Sequence, residues 1–121
     1  MAKSILLVED NQLIMKLYRS VLAPLGAEIL HAASGQDALN LAKEKQPAVI
    51  VMDIMLPGMS GLDVTRQLKS DPATKDIPIV AVTTLAMAGD LDNIKEVGCD
   101  AYLAKPINID GFVTTMKNYL A

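Results

Sequence analysis

The 121-residue sequence predicts an α/β fold, an open doubly wound sheet of five parallel strands with helices on both faces, and three observations carry that reading. Five short β-rich runs alternate with five stretches of helical period, a repeated βα unit. Three of the runs, Ile5 to Val8, Val49 to Met52 and Ile79 to Val82, are apolar without alternation, as strands covered on both faces are. The residues that close the runs are acids, hydroxyls and a lysine, gathered at one end of the strands rather than spread over both.

The first element is the strand SILLVE. It is followed by a helix from Leu13 to Leu25, in which Leu13, Ile14, Leu17, Tyr18, Val21, Leu22 and Leu25 recur at helical spacing and Gly26 is the stop. EILHA is more mixed in polarity, which places it at an edge of the sheet. Asp37 to Lys45 reads as the second helix and AVIVMD as the third strand. Ser60 to Lys69 is the next helix, IPIVAVT the fourth strand, and Leu91 to Val97 a helix stopped by Gly98. AYLAK is the last strand and Ile109 to Leu120 the last helix, with Phe112, Val113, Met116, Tyr119 and Leu120 on its stripe. Gly111 costs up to about 1 kcal/mol relative to alanine there, so this helix is expected to be loosely anchored.

Length and composition bound what such a chain does. One domain spanning residues 1–121 accounts for the whole sequence, with no linker and, since the chain ends soon after the last helix, no expected output domain. A net charge of -3 offers phosphate backbones and anionic membranes no broad basic surface, so neither nucleic acid nor a membrane is an expected partner. No apolar stretch approaches the roughly 18 residues of a membrane span, and no signal-like segment opens the chain, so a cytoplasmic location is expected. Cys99 stands alone and reads as a small packing residue; His31, on the edge-like strand, is not a phosphocarrier candidate.

In an open parallel sheet, ligands sit beyond the carboxyl ends of central strands. Those ends carry Glu9 and Asp10, Asp53, Thr83 with Thr84, and Lys105 with Pro106. Two carboxylates about 4 Å apart repel by roughly 4 kcal/mol at an effective dielectric near 20, and a hard divalent cation offsets that. Mg²⁺ accepts one or two carboxylates, keeps several waters and leaves room for phosphate oxygens. A carboxylate is also a nucleophile able to form an acyl phosphate. Asp53 is the candidate, because it closes a strongly apolar strand and is followed by the aiming loop Ile54-Met55-Leu56-Pro57-Gly58. Glu9 and Asp10 open a helix, where capping and first-turn charge are an alternative role compatible with metal binding. Lys105 brings a compact ammonium to the phosphoryl oxygens, and Thr83 a hydroxyl that donates to one of them. Pro106 makes the Lys105–Pro106 bond a candidate cis peptide.

With these residues assembled, the chain resembles the receiver domain of bacterial two-component response regulators over essentially its whole length. The likeness rests on ILLVEDN, VIVMDIMLPGMSGLD, PIVAVTTLAM and AYLAKPI, in order. The resemblance implies a flavodoxin-like sheet in the order 2-1-3-4-5 and an Asp53 phosphorylated by a histidine kinase or histidine phosphotransfer protein. It also implies an acidic pair at Glu9 and Asp10, a Mg²⁺-binding carbonyl at Met55, a hydroxyl switch at Thr83, an aromatic switch at Tyr102 and a phosphate-binding lysine at Lys105. Output is then by protein contact, through a surface from Met87 to Leu120. The stretches VTTLAM and GCDAYLAKPI look nearest to the cell-cycle regulator type that feeds back on histidine kinases. Thr84 departs from the family's usual alanine or glycine and is expected to narrow access to Asp53 and slow autodephosphorylation.

Two other readings compete. A phosphatase of the haloacid-dehalogenase class needs a second aspartate two positions after the nucleophile, and Met55 stands there. A receiver-shaped interaction module that no longer depends on phosphate would have no need of the acids and Lys105, which argue against it.

Overall fold

A computed structural model describes the backbone of residues 3–84 and 88–121 and the side chains of 3–84 and 92–121. Five strands, β1 (Ser4–Val8), β2 (Glu28–Ala32), β3 (Val49–Asp53), β4 (Ile79–Thr83) and β5 (Ala101–Ala104), alternate with five helices. The helices are α1 (Gln12–Leu22), α2 (Gly35–Lys45), α3 (Gly61–Ser70), α4 (Ala88–Glu96) and α5 (Ile109–Leu120). The strands are parallel throughout and ordered β2-β1-β3-β4-β5, so EILHA is an edge strand as its mixed polarity implies.

Successive strand residues point to opposite faces, which divides the core in two. Ile5, Leu7, Val49, Val51, Val80 and Val82 pack with Met15, Tyr18 and Leu22 of α1 and Phe112 and Met116 of α5. On the other face Leu6, Val8, Ile50, Met52 and Ile79 meet Ala38 and Ala42 of α2 and Val64 and Leu68 of α3, while Ile94 of α4 covers Ile54 and Ala81. The central strands are thus buried on both sides, the reason their sequences do not alternate.

Several local expectations are corrected. In α1 the stripe is rotated: Met15 is buried, whereas Leu13 is 79% exposed and Leu17 half exposed, so two of the periodic leucines face outward. The helix ends at Leu22 and a 3-10 turn over Ala23–Leu25 leads to Gly26, whose φ of 75° is the left-handed conformation glycine adopts without strain. Capping of α1 falls to neither Glu9 nor Asp10. Asn11 does it, its side-chain oxygen accepting from the Leu13 and Ile14 N–H groups. The α4 backbone begins at Ala88, three residues ahead of the apolar period. Nor is α5 loosely anchored: Asn108 caps it through the Gly111 N–H at 2.8 Å, and Phe112 and Met116 are buried, with Phe112 in edge contact with Tyr18 at 5.1 Å.

Candidate functional site

Strand order reverses between β1 and β3: β1 leads to β2 on one side, and the chain then returns to place β3 on the other. A crevice opens at such a reversal, beyond the carboxyl ends of the two strands. Glu9 follows β1 and Asp53 closes β3, the register pairing Val8 with Met52 just behind them. Both carboxylates are buried, Glu9 at 2% and Asp53 at 3% exposure, while Asp10 is exposed at the mouth. Oxygens of all three lie within 4.8 Å of one another.

One cation answers them among the described residues. The Lys105 Nζ lies 3.5 Å from Glu9 Oε2 and 3.5 Å from Asp53 Oδ2. The Met55 N–H donates to Asp53 Oδ1 at 2.9 Å, and the Asn11 N–H to Glu9 Oε1 at 3.0 Å. Glu9 Oε2 is buried and has no hydrogen-bond partner beyond that long ion pair. Burial first, with the neighbouring Asp53 adding to it, pushes the Glu9 carboxyl up to about 7, against the opposing hydrogen bond from the Asn11 N–H and the smaller pull of Lys105. The site therefore holds more negative charge than its own residues balance. An all-oxygen donor set with an orphaned buried carboxylate oxygen fits a hard divalent cation such as Mg²⁺.

The remaining residues singled out in the sequence fall around this pocket with unequal closeness. Thr83 ends β4 with its side chain buried, and its carbonyl accepts from the Lys105 N–H at 2.8 Å. Thr84, next along, is exposed. Met55 sits in the loop after β3 with its side chain 64% exposed, so its contribution to the pocket is made by backbone. The Lys105–Pro106 peptide is cis. Tyr102 is on β5 and 44% exposed. Met87, one bound of the expected contact surface, lies outside the described residues.

Two positions escaped the sequence reading. Gly61 packs so tightly that a Cβ there would run into the Asp53 carbonyl oxygen, and its N–H donates to the Ile54 carbonyl at 3.0 Å, closing the loop behind Asp53. The MSGLD stretch contains the residue, but only the tertiary approach of α3 to β3 explains it. Tyr18, read as a core residue of α1, is 6% exposed, and the charges of Glu9 and Asp53, after burial, hold its hydroxyl well above the ordinary tyrosine range. No sequence spacing signals that proximity.

A doubly wound sheet whose reversal point presents buried carboxylates, a lysine and a strand-end threonine defines a class of phosphoacceptor switch. Residues 5–117 match the family described as the response regulator receiver domain, and the chain belongs to that family. It is a receiver domain of two-component signalling. It is 48% identical over 120 residues to the polar-differentiation response regulator DivK of Brucella ovis and of Brucella abortus, covering 99% of this chain and 98% of those relatives. Among solved structures it is similar to the chemotaxis protein CheY4 of Vibrio cholerae, with a TM-score of 0.90 at 27% identity over 98% of this chain and 99% of that one. It is also similar to the receiver domain of sensor histidine kinase PA1611 of Pseudomonas aeruginosa, with a TM-score of 0.89 at 30% identity over 99% and 98%. That protein's structure has a magnesium ion coordinated in its active-site cleft.

Proposed function

We propose that this receiver domain accepts a phosphoryl group on Asp53 from the phosphohistidine of a histidine kinase or histidine phosphotransfer protein, and that it signals by phosphorylation-dependent protein contact. The observation that carries the reading is the buried Asp53 carboxylate, aimed by the Met55 N–H on one oxygen and faced by Lys105 on the other.

In the transfer, an Asp53 oxygen attacks phosphorus, the P–O bond forms as the P–N bond to the donor imidazole breaks, and that imidazole keeps the electron pair and takes up a proton. Glu9, Asp10 and Asp53, with the Met55 carbonyl, would hold Mg²⁺, which supplies charge neutralisation for the phosphoryl oxygens. Lys105 exchanges its long contact with Asp53 for the new anion. Thr83 turns its hydroxyl to a phosphoryl oxygen, and β5, bonded to Thr83 through Lys105, carries the change to exposed Tyr102. The hydrolysis that resets the switch uses the same groups, so the domain catalyses its own phosphorylation and dephosphorylation and no reaction of another substrate.

Partner contact is assigned to the Met87–Leu120 region, of which α4, β5 and α5 are described. The donor approaches over Leu13, Met55 and Ile109, exposed apolar residues following the acidic pair, Asp53 and Lys105 respectively. Likeness to the polar-differentiation regulators supports a role in cell-cycle feedback on histidine kinases.

The test is intact mass after incubation with a small phosphoryl donor, with and without Mg²⁺, for the native chain and Asp53→Ala. One added phosphoryl that requires both Mg²⁺ and Asp53 is expected. If no mass is added, and beryllium fluoride shifts neither Thr83 nor Tyr102 in NMR spectra, the proposal fails.

A further inference from the structure

The acidic pair depends on how the peptide between Glu9 and Asp10 is oriented. Asp10 has no hydrogen bond or ion pair of its own side chain among the described residues, so its carboxylate is aimed only by the backbone it hangs from. That backbone lies just past the end of the β1–β2 ladder. The last register pair is Val8 with Ala32, and the Glu9 N–H still reaches the Ala32 carbonyl at 3.0 Å. Beyond Ala32 the chain turns off towards Ser34, the cap of α2, and no backbone donor of β2 is left for the Glu9 carbonyl. The ring of His31 fills that place: its Nε2 lies 3.2 Å from the Glu9 oxygen, which accepts from it. Both the Nε2-protonated neutral ring and the imidazolium donate at that atom, so the contact is available in either charge state.

We propose that His31 is a positioning residue for the metal-binding acids. It replaces the missing rung of the ladder and fixes the Glu9–Asp10 peptide plane, and with it the direction of the Asp10 carboxylate. A second consequence reaches Glu9, whose Oε1 accepts from the Asn11 N–H one peptide further on, so the turn is held from both sides. This inference rests on the reading of the pocket as a Mg²⁺ site. Groups that orient ligands in this way commonly shift metal affinity without touching the ion.

The experiment compares the native chain with His31→Ala and with His31→Gln, whose side-chain amide can restore a donor. Mg²⁺ is titrated against amide NMR shifts, and hydrogen exchange of the Glu9 and Asn11 amides is measured without metal. His31→Ala is expected to weaken Mg²⁺ about five- to tenfold and to speed exchange at both amides by a similar factor, with His31→Gln within about twofold of native. Exchange at Val51 and Val82 in the central strands should stay unchanged, which separates a local effect from general loosening. Mg²⁺ affinity and exchange in His31→Ala both equal to native would overturn the inference. A native chain that takes no Mg²⁺ would overturn the metal reading instead, and the exchange rates would then decide the role of His31 alone.

Discussion

The Lys105 N–H donates to the Thr83 carbonyl at 2.8 Å, so the lysine that faces Asp53 and the threonine whose hydroxyl is assigned to the phosphoryl group share one rung between β4 and β5. Displacing either backbone displaces the other. The ammonium carried by that rung is the one cation set against Glu9 and Asp53 among the described residues.

Removing it should therefore be costly in metal-free protein. Lys105→Ala leaves two buried carboxylates without a counter-charge and is expected to lower stability at pH 8 by about 1–3 kcal/mol, read by urea unfolding. Part of that loss should return with added Mg²⁺. Equal stability of variant and parent would mean that Lys105 does not balance the pocket.

Glu9 predicts an unusual pH dependence. Its carboxyl is raised from 4.5 to about 7 in the fold by burial and by Asp53, so between those values the folded chain holds a proton that the unfolded chain has released. Stability contributed by this group is therefore complete below about pH 4.5 and is lost as pH rises towards 7. Glu9→Gln should remove that slope and stabilise metal-free protein at pH 8 by on the order of 1–3 kcal/mol, while weakening Mg²⁺ binding. A Glu9→Gln curve parallel to the parent's from pH 5 to 8 would refute the assignment.

Thr84 is exposed directly after the proposed switch residue, and a threonine in place of the family's usual small residue is expected to narrow the approach of water to Asp53. Trimming it in Thr84→Ala is expected to speed loss of the Asp53 phosphoryl group by about threefold, equivalent to roughly 0.6 kcal/mol in the barrier. An unchanged decay in a pulse-chase of phosphorylated protein would dismiss the steric explanation.

Two glycines should respond oppositely to the same change. At Gly61 the new Cβ meets the Asp53 backbone, so Gly61→Ala should cost about 2–4 kcal/mol and shift the Met55 amide resonance. At Gly111 the new Cβ makes an ordinary 3.5 Å contact with Asn108 in the first turn of α5. Gly111→Ala should stabilise by about 0.5–1 kcal/mol, through a better helix former and a less flexible unfolded chain. Thermal unfolding of the two variants checks both signs.

Much of this protein was legible in its sequence, because the controlling signals are local. Apolar runs without alternation mark strands buried on both faces, the mixed EILHA marks an edge, and the polar residues closing the runs mark the rim where Glu9, Asp10, Asp53, Thr83 and Lys105 converge. Periodicity names a helix but not its rotation to the core, which is why Met15 is buried while Leu13 is not. That rotation is set by how α1 docks on Ile5, Leu7 and Phe112, contacts distant in the chain. The same limit applies at the site. Residue types alone indicate that the acids gather, but only the folded chain sets the Lys105 Nζ at 3.5 Å from both Glu9 and Asp53, lays Gly61 against the Asp53 backbone and brings His31 of the edge strand to the Glu9 carbonyl. Each of these contacts joins segments separated in sequence, so its geometry follows from strand order and packing rather than from any motif.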